Sequence, residues 1–174
     1  MRSEPMKTFV RLAAADDAAA VRDVNQQAFA GPVEARIVDA LRGSSGSISL
    51  VATVDERVVG HILFTPVAIE PRPADIRVAG LGPMSVRPDL QRLGVGSELV
   101  RVGLQTCRRH NYSAVVVVGH PEYYPRFGFR PADTWGLTYV DPVPREVFMA
   151  TELEPGALAG CAGIVRFRPE FAES

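Results

Sequence analysis

LGPMSVRPDLQRLGVGSELV, residues 81–100, is the stretch on which the reading turns. An apolar, strand-like run ends at Val86. A polar turn follows, glycines stand at 94 and 96, and Leu99, Val100, Leu104 and Cys107 then recur at the spacing of a helix face from about Ser97 to His110. A turn with two glycines that opens a helix offers several backbone N–H groups without partners, together with the positive end of the helix dipole. Glycine lets the backbone come close to an anion, and Arg92 adds a charge-assisted contact. That is the chemistry of a pyrophosphate site. A dinucleotide fingerprint would need a third glycine where Leu99 stands, and a P-loop would need Gly-Lys-Ser/Thr; the sequence has neither. Gly82-Pro83 lies inside the strand-like run. Proline cannot donate to a ladder, so a bulge or splayed edge is expected there.

Working outward, AVVVVG (114–119) is the continuous apolar run of a strand buried on both faces. A short helix or turn is expected over Pro121–Phe127. Upstream, TFVRL (8–12) reads as a strand, and Asp16 or Asp17 is placed to cap a helix with Val21, Val24 and Ala28 on one face. A second short helix carries Ile37, Val38 and Leu41 and stops at Gly43. ISLVATV (48–54) and VVGHILFTPV (58–67) flank a tight connection at Asp55-Glu56-Arg57 and read as an antiparallel hairpin. Residues 70–77 read as loop, and two further strands are expected near 136–140 and 161–168. No repeat or linker divides the chain, so 1–174 is expected to be a single domain of mixed α/β class.

The 174 residues are enough for one proper core, and 47% hydrophobic with 22% charged residues is ordinary for a globular protein. A formal net charge of −1 gives no global field toward nucleic acid or an anionic membrane, so neither is expected as a partner. Positive charge is nearly all arginine, since Lys7 is the only lysine. The arginines at 72, 77, 87, 92, 108, 109, 126 and 130 read either as scattered surface or as a local patch for a phosphorylated ligand. Cys107 and Cys161 have no metal-ligand spacing and read as buried small hydrophobes of a reducing compartment. No metal site is expected. Asp16 and Asp17 interrupt the alanine-rich stretch that would imitate a secretory signal, and no apolar run is long enough to span a bilayer, so a cytoplasmic protein is expected.

Residues 81–100 together with AVVVVGHPEYYPRFGF (114–129) resemble the GCN5-related N-acetyltransferase (GNAT) superfamily, and within it the YhbS-like bacterial group. Gln91–Gly96 fits the family signature Q/R-x-x-G-x-G/A, and Tyr124-Pro125-Arg126-Phe127-Gly128-Phe129 fits its Tyr-x-x-x-Gly-Phe ending. The core of the match covers 79–129. The resemblance implies a twisted, mostly antiparallel sheet of about seven strands, splayed between its fourth and fifth (79–86 and 114–119) and flanked by helices. It implies acetyl-CoA as cosubstrate. The backbone of Met84, Ser85 and Val86 would pair with the pantetheine arm, and the amides of Gln91, Arg92, Leu93, Gly94, Val95, Gly96 and Ser97 would hold the pyrophosphate.

The resemblance further implies direct attack by an amine on the thioester, with Tyr124 protonating the departing thiolate; a packed tyrosine is the plainer reading of that residue. The general base is open, because 81–87 contains no carboxylate. His61, Glu122, His120 and a water relay from a backbone carbonyl are the candidates, though a lone strand histidine is more often a satisfied core residue. His120 is also placed for a cofactor contact or for stabilising its turn. The acceptor is an amine of a small molecule, a peptide or a protein. Trp135, Phe148 and Met149 are candidate lining, and the resemblance allows a homodimer. An alternative is a module of the same fold that keeps acetyl-CoA as a sensor without turnover.

Overall fold

The computed structural model describes residues 4–73 and 75–173. Among the described residues ten strands form two sheets, accompanied by three α-helices. The larger has seven strands in the order β1-β2-β3-β5-β6-β9-β7, mostly antiparallel and flanked by helices; the smaller has the order β4-β10-β8. The strands are β1 (Phe9–Leu12), β2 (Ile48–Val54), β3 (Arg57–Pro66), β4 (Ala68–Glu70), β5 (Val78–Val86), β6 (Ala114–Val118), β7 (Arg130–Pro131), β8 (Leu137–Tyr139), β9 (Phe148–Glu152) and β10 (Gly163–Arg166). The helices are α1 (Ala18–Phe29), α2 (Val33–Leu41) and α3 (Val95–Arg109).

The chain divides into two compact units. One comprises the residues up to Leu63 with Pro83–Gly103. In it β1 pairs antiparallel with β2, Phe9 opposite Thr53. The connection from β2 to β3 is a two-residue turn, with φ of 50° at Asp55 and 64° at Glu56. Positive φ at both central positions is the primed geometry whose twist suits a hairpin. Asp17 does not cap α1 with its side chain. Its carboxylate instead accepts from Arg11 (2.7 and 3.0 Å), the main cause that holds its pKa down to about 2, and from the Ala14 N–H (2.6 Å). The first turn of α3 lies close on β3 at Gly60, where a Cβ would sit 3.1 Å from Leu99 Cδ1 and 3.2 Å from Val95 Cγ1.

The other unit comprises Phe64–Gly82 with Leu104–Glu173. β5 and β6 run parallel here, and their register covers Val78–Gly80 opposite Ala114–Val116. β6 pairs antiparallel with β9, Val118 opposite Phe148. A buried cluster including Ile69, Val78, Val116, Leu137, Phe148 and Val165 forms its core.

The bulge expected at Gly82-Pro83 is legible in two backbone bonds. Arg87 N–H donates to Val59 O at 2.8 Å and Val67 N–H to Val78 O at 3.0 Å. Between them β3 advances eight residues (59 to 67) and β5 nine (78 to 87), so β5 carries one extra residue. Gly82, with φ of 138°, lies in that interval.

Elsewhere the elements differ from expectation in detail. α3 starts at Val95 rather than Ser97. β4 lies at the border of the expected loop, and β7 and β9 were not anticipated. Phe-Met-Ala-Thr-Glu has weak strand propensity after a proline-rich segment, and pairing with β6 decides its conformation. Met149 is accordingly buried in β9, Cα partner of Val117, rather than lining a surface.

Candidate functional site

The glycine turn is built from backbone. Pro88–Leu90 form a 3₁₀ turn, with the Leu90 N–H donating to Arg87 O at 2.9 Å. Gln91 Nε2 donates to Val86 O at 3.1 Å, tying the turn back to the end of β5. Gln91 therefore anchors the turn through its side chain. Arg92 and Gly94 both take left-handed backbone, φ of 65° and 91°. For an arginine this costs on the order of 1 kcal/mol, and such strain gathers at functional sites. The first bond of α3 runs from Glu98 N–H to Gly94 O (3.1 Å), so the amides of Val95 and Gly96 have no acceptor inside the helix. A Cβ on Gly94 would meet nothing within 4 Å; the glycine serves its φ and leaves open space beside the amides. Gly96 instead lies inside the first helical turn.

Gln91, Arg92, Leu93 and Gly94 are exposed, and Val95 is buried and anchors the helix. Arg92 pairs with no carboxylate among the described residues. Of the β5 residues, Met84 is half-buried while Ser85 and Val86 are buried. Ser85 Oγ has no hydrogen-bond partner among the described residues.

Tyr124 begins a second 3₁₀ turn, after β6. Its ring lies against Gly119, where a Cβ would come within 2.5 Å of Tyr124 Cε2. Edge-on contacts to Tyr123 (5.1 Å) and Phe129 (5.5 Å) complete its surroundings. Burial, with a smaller contribution from Tyr123, pushes its hydroxyl up to about 12. It therefore stays protonated throughout the neutral range, the state a proton donor needs. The backbone carbonyl of His120 accepts from the Tyr123 and Tyr124 N–H groups (3.1 and 3.4 Å), a turn-stabilising role for that residue. His120 and Glu122 are exposed.

His61 is fully buried on β3. Its Nε2 lies 2.8 Å from Ser49 Oγ and its Nδ1 3.4 Å from Asn25 Nδ2. The grouping superficially resembles a nucleophile–base–orienter triad. Its polarity runs the other way. Asn25 Nδ2 also donates to Val21 O at 2.9 Å, which fixes the amide orientation, so it donates to Nδ1. The ring hydrogen then sits on Nε2 and is donated to Ser49, which is not activated. Burial, helped by the nearby Arg42 charge, lowers the imidazole to about 3. His61 is a satisfied core residue and too weak to serve as a base near neutral pH. Sequence reasoning did not find Asn25 or Ser49 as its partners, nor Gly119 as the seat of the Tyr124 ring. The glycine ending the valine run was the one available signal.

The profile described as an acetyltransferase (GNAT) domain matches residues 9–132. The chain belongs to the GNAT family. Among GNAT proteins, it is 36% identical over 134 residues to the uncharacterized N-acetyltransferase YjhQ of Escherichia coli, covering 75% of this chain and 74% of that one. It is 32% identical over 157 residues to the uncharacterized N-acetyltransferase YhbS of the same organism, covering 89% and 93%. The crystal structure of E. coli YhbS in complex with CoA superposes with a TM-score of 0.90 at 29% identity, covering 99% of this chain and 96% of that one. A GNAT acetyltransferase from Brucella melitensis in complex with acetyl-CoA gives 0.78 at 32% identity, covering 95% and 99%. The glycine turn before α3 and Tyr124 both fall inside the matched GNAT domain. Among the described residues no helix is long and apolar enough to cross a membrane, and no group of three or more His, Cys, Asp or Glu could hold a metal ion.

Proposed function

We propose that this GNAT chain transfers an acetyl group from acetyl-CoA to a primary amine, with the whole chain acting as one catalytic domain. The observation that carries the reading is the turn before α3. Two left-handed residues, Arg92 and Gly94, aim backbone amides and the helix N-terminus into open space beside an unpaired guanidinium. That arrangement fits a pyrophosphate, and relatives of closely similar fold were crystallised with CoA and acetyl-CoA. The amides from Gln91 to Ser97 hold the pyrophosphate, and the backbone of Met84, Ser85 and Val86 pairs with the pantetheine arm. The neutral amine nitrogen attacks the carbonyl carbon, forming the C–N bond. The C–S bond breaks, Tyr124 gives its proton to the leaving thiolate, the new ammonium loses a proton to water, and the Tyr124 phenolate takes a proton back from solvent. A buried, protonated Tyr124 supports the donor role.

Calorimetric titration with acetyl-CoA, followed by CoA-release assays against a panel of amines, tests the reading. Saturable binding that Gly94→Val abolishes, together with release that depends on an amine, is the expected outcome. Binding without release for any amine would favour the sensor alternative, and binding unaffected by Gly94→Val would move the pyrophosphate elsewhere.

A further inference from the structure

A cavity of about 440 Å³ opens among β4, the segment after it, and the start of β5. None of its lining residues belongs to the glycine turn or to the Tyr124 segment. Its volume falls in the range of small-molecule sites, which are mostly apolar with a few placed polar groups. The wall fits that description: Val67, Ile69, Ile76 and Val78 supply the apolar part, beside the buried ring of Tyr112.

The charges at the rim are unbalanced. Glu70, also in the lining, is ion-paired with Arg166 at 3.4 Å. Arg72 and Arg77, both lining the cavity, have no carboxylate within ion-pair distance among the described residues. Arg77 is also held in place. Its Nη1 donates to His110 O at 2.7 Å, and its guanidinium stacks 4.3 Å from the centroid of the Tyr112 ring. The His110 bond and a side-chain hydrogen bond with Tyr112 take up part of its five N–H donors, and the rest of this fixed fork keeps capacity for an oxyanion. A guanidinium already ordered by its neighbours loses less freedom on binding than a mobile one.

We propose that this cavity is a second ligand site, taking a small carboxylate with an apolar body. The carboxylate meets Arg77 and Arg72, and the body lies on Val67, Ile69 and Ile76. The chemistry follows from two uncompensated guanidinium groups beside an apolar wall. A bare anion would leave the wall wet, and an uncharged or cationic body would leave the arginines unanswered.

The test is calorimetric titration of the full chain with 4-phenylbutyrate, with the isosteric 4-phenylbutanamide and 4-phenylbutylamine, and with inorganic phosphate, each repeated with the protein saturated with CoA. Saturable binding of 4-phenylbutyrate, unchanged by CoA, is expected. The amide should bind at least about tenfold more weakly, as should the acid to Arg72→Gln or Arg77→Gln, since a charge-assisted bond is lost in each case. Arg72 is exposed, so Arg72→Gln is the variant that keeps the fold if Arg77→Gln disturbs the Tyr112 stack. Equal binding of acid and amide, wild-type affinity in Arg72→Gln, or phosphate binding as well as the acid would each overturn the proposal. Competition by CoA would also overturn it, by placing the anion at the glycine turn, and would leave the acetyltransferase reading intact.

Discussion

Replacing His61 by glutamine should remove a large part of the acid sensitivity of folding. The imidazole has an ordinary value of 6.5 and a value of about 3 inside the fold, because burial excludes the charged form. The unfolded chain therefore takes up a proton that the folded chain refuses. The stability this represents is present above the ordinary value and is lost as pH falls from 6.5 toward 3. Carried through linkage, the loss at about pH 5 is roughly 2 kcal/mol, rising toward ~5 kcal/mol at the acid limit. Asp17 acts in the same direction, since the Arg11 bond lowers it from 3.8 to about 2, but its loss falls mainly below about pH 4. The window between about pH 5 and 7 thus separates the two groups. The assay is urea unfolding of wild type and His61→Gln across that window. Absolute stability of the variant will be lower, since Ser49 and Asn25 lose their partner, so the informative quantity is the difference between the two proteins against pH. It should narrow by about 2 kcal/mol from neutral pH to about pH 5. A difference that stays constant would mean the ring is not held neutral, and the assignment of its hydrogen to Nε2 would go with it.

Other outcomes follow from the same geometry. Tyr124→Phe should leave acetyl-CoA affinity nearly unchanged and slow turnover at least ~10-fold where chemistry is limiting; with its hydroxyl pushed to about 12, Tyr124 itself should not produce an alkaline limb below about pH 11. Gly119→Ala should mimic that loss of turnover while sparing cofactor binding, because its methyl would displace the Tyr124 ring; an unaffected rate would count against Tyr124 as donor. Arg92→Gly should hold or raise the melting temperature by releasing left-handed strain, yet weaken acetyl-CoA by roughly 1–3 kcal/mol in calorimetry; a variant that is destabilised but binds normally would reverse both assignments. Arg11→Ala should lower stability by at most ~2 kcal/mol at neutral pH and by less below about pH 3, read by thermal unfolding at the two pH values.

Much of the fold was legible because its signals are local. Glycines 94 and 96, the valine run 114–118 and the apolar hairpin strands each fix an element through neighbouring residues. β9 was not, since Phe148–Glu152 becomes a strand only by pairing with β6, a partner some thirty residues away in sequence. The site divides in the same manner. The turn could be read as backbone chemistry, whereas the role of His61 depended on Asn25 and Ser49 from other elements. Nothing in the sequence gives the hydrogen positions that exclude it as a base. Gln91 shows a subtler limit: its place in the motif was legible, but its side-chain bond to Val86 O was not.

The extra residue in β5 has a consequence for solubility as well as for chemistry. The register of β5 with β6 covers Val78–Gly80, at one end of the strand. Strand residues paired on one side alone have the same unmet hydrogen-bonding capacity that makes sheet edges recruit other chains. Most proteins blunt such an edge with charge or a covering loop. Here the bulge in β5, and on the proposed binding mode a thioester arm lying along the strand, would serve as the guard. On the proposed binding mode CoA would then guard this chain against self-association, and CoA-free preparations should aggregate at concentrations where the loaded protein stays clear in light scattering.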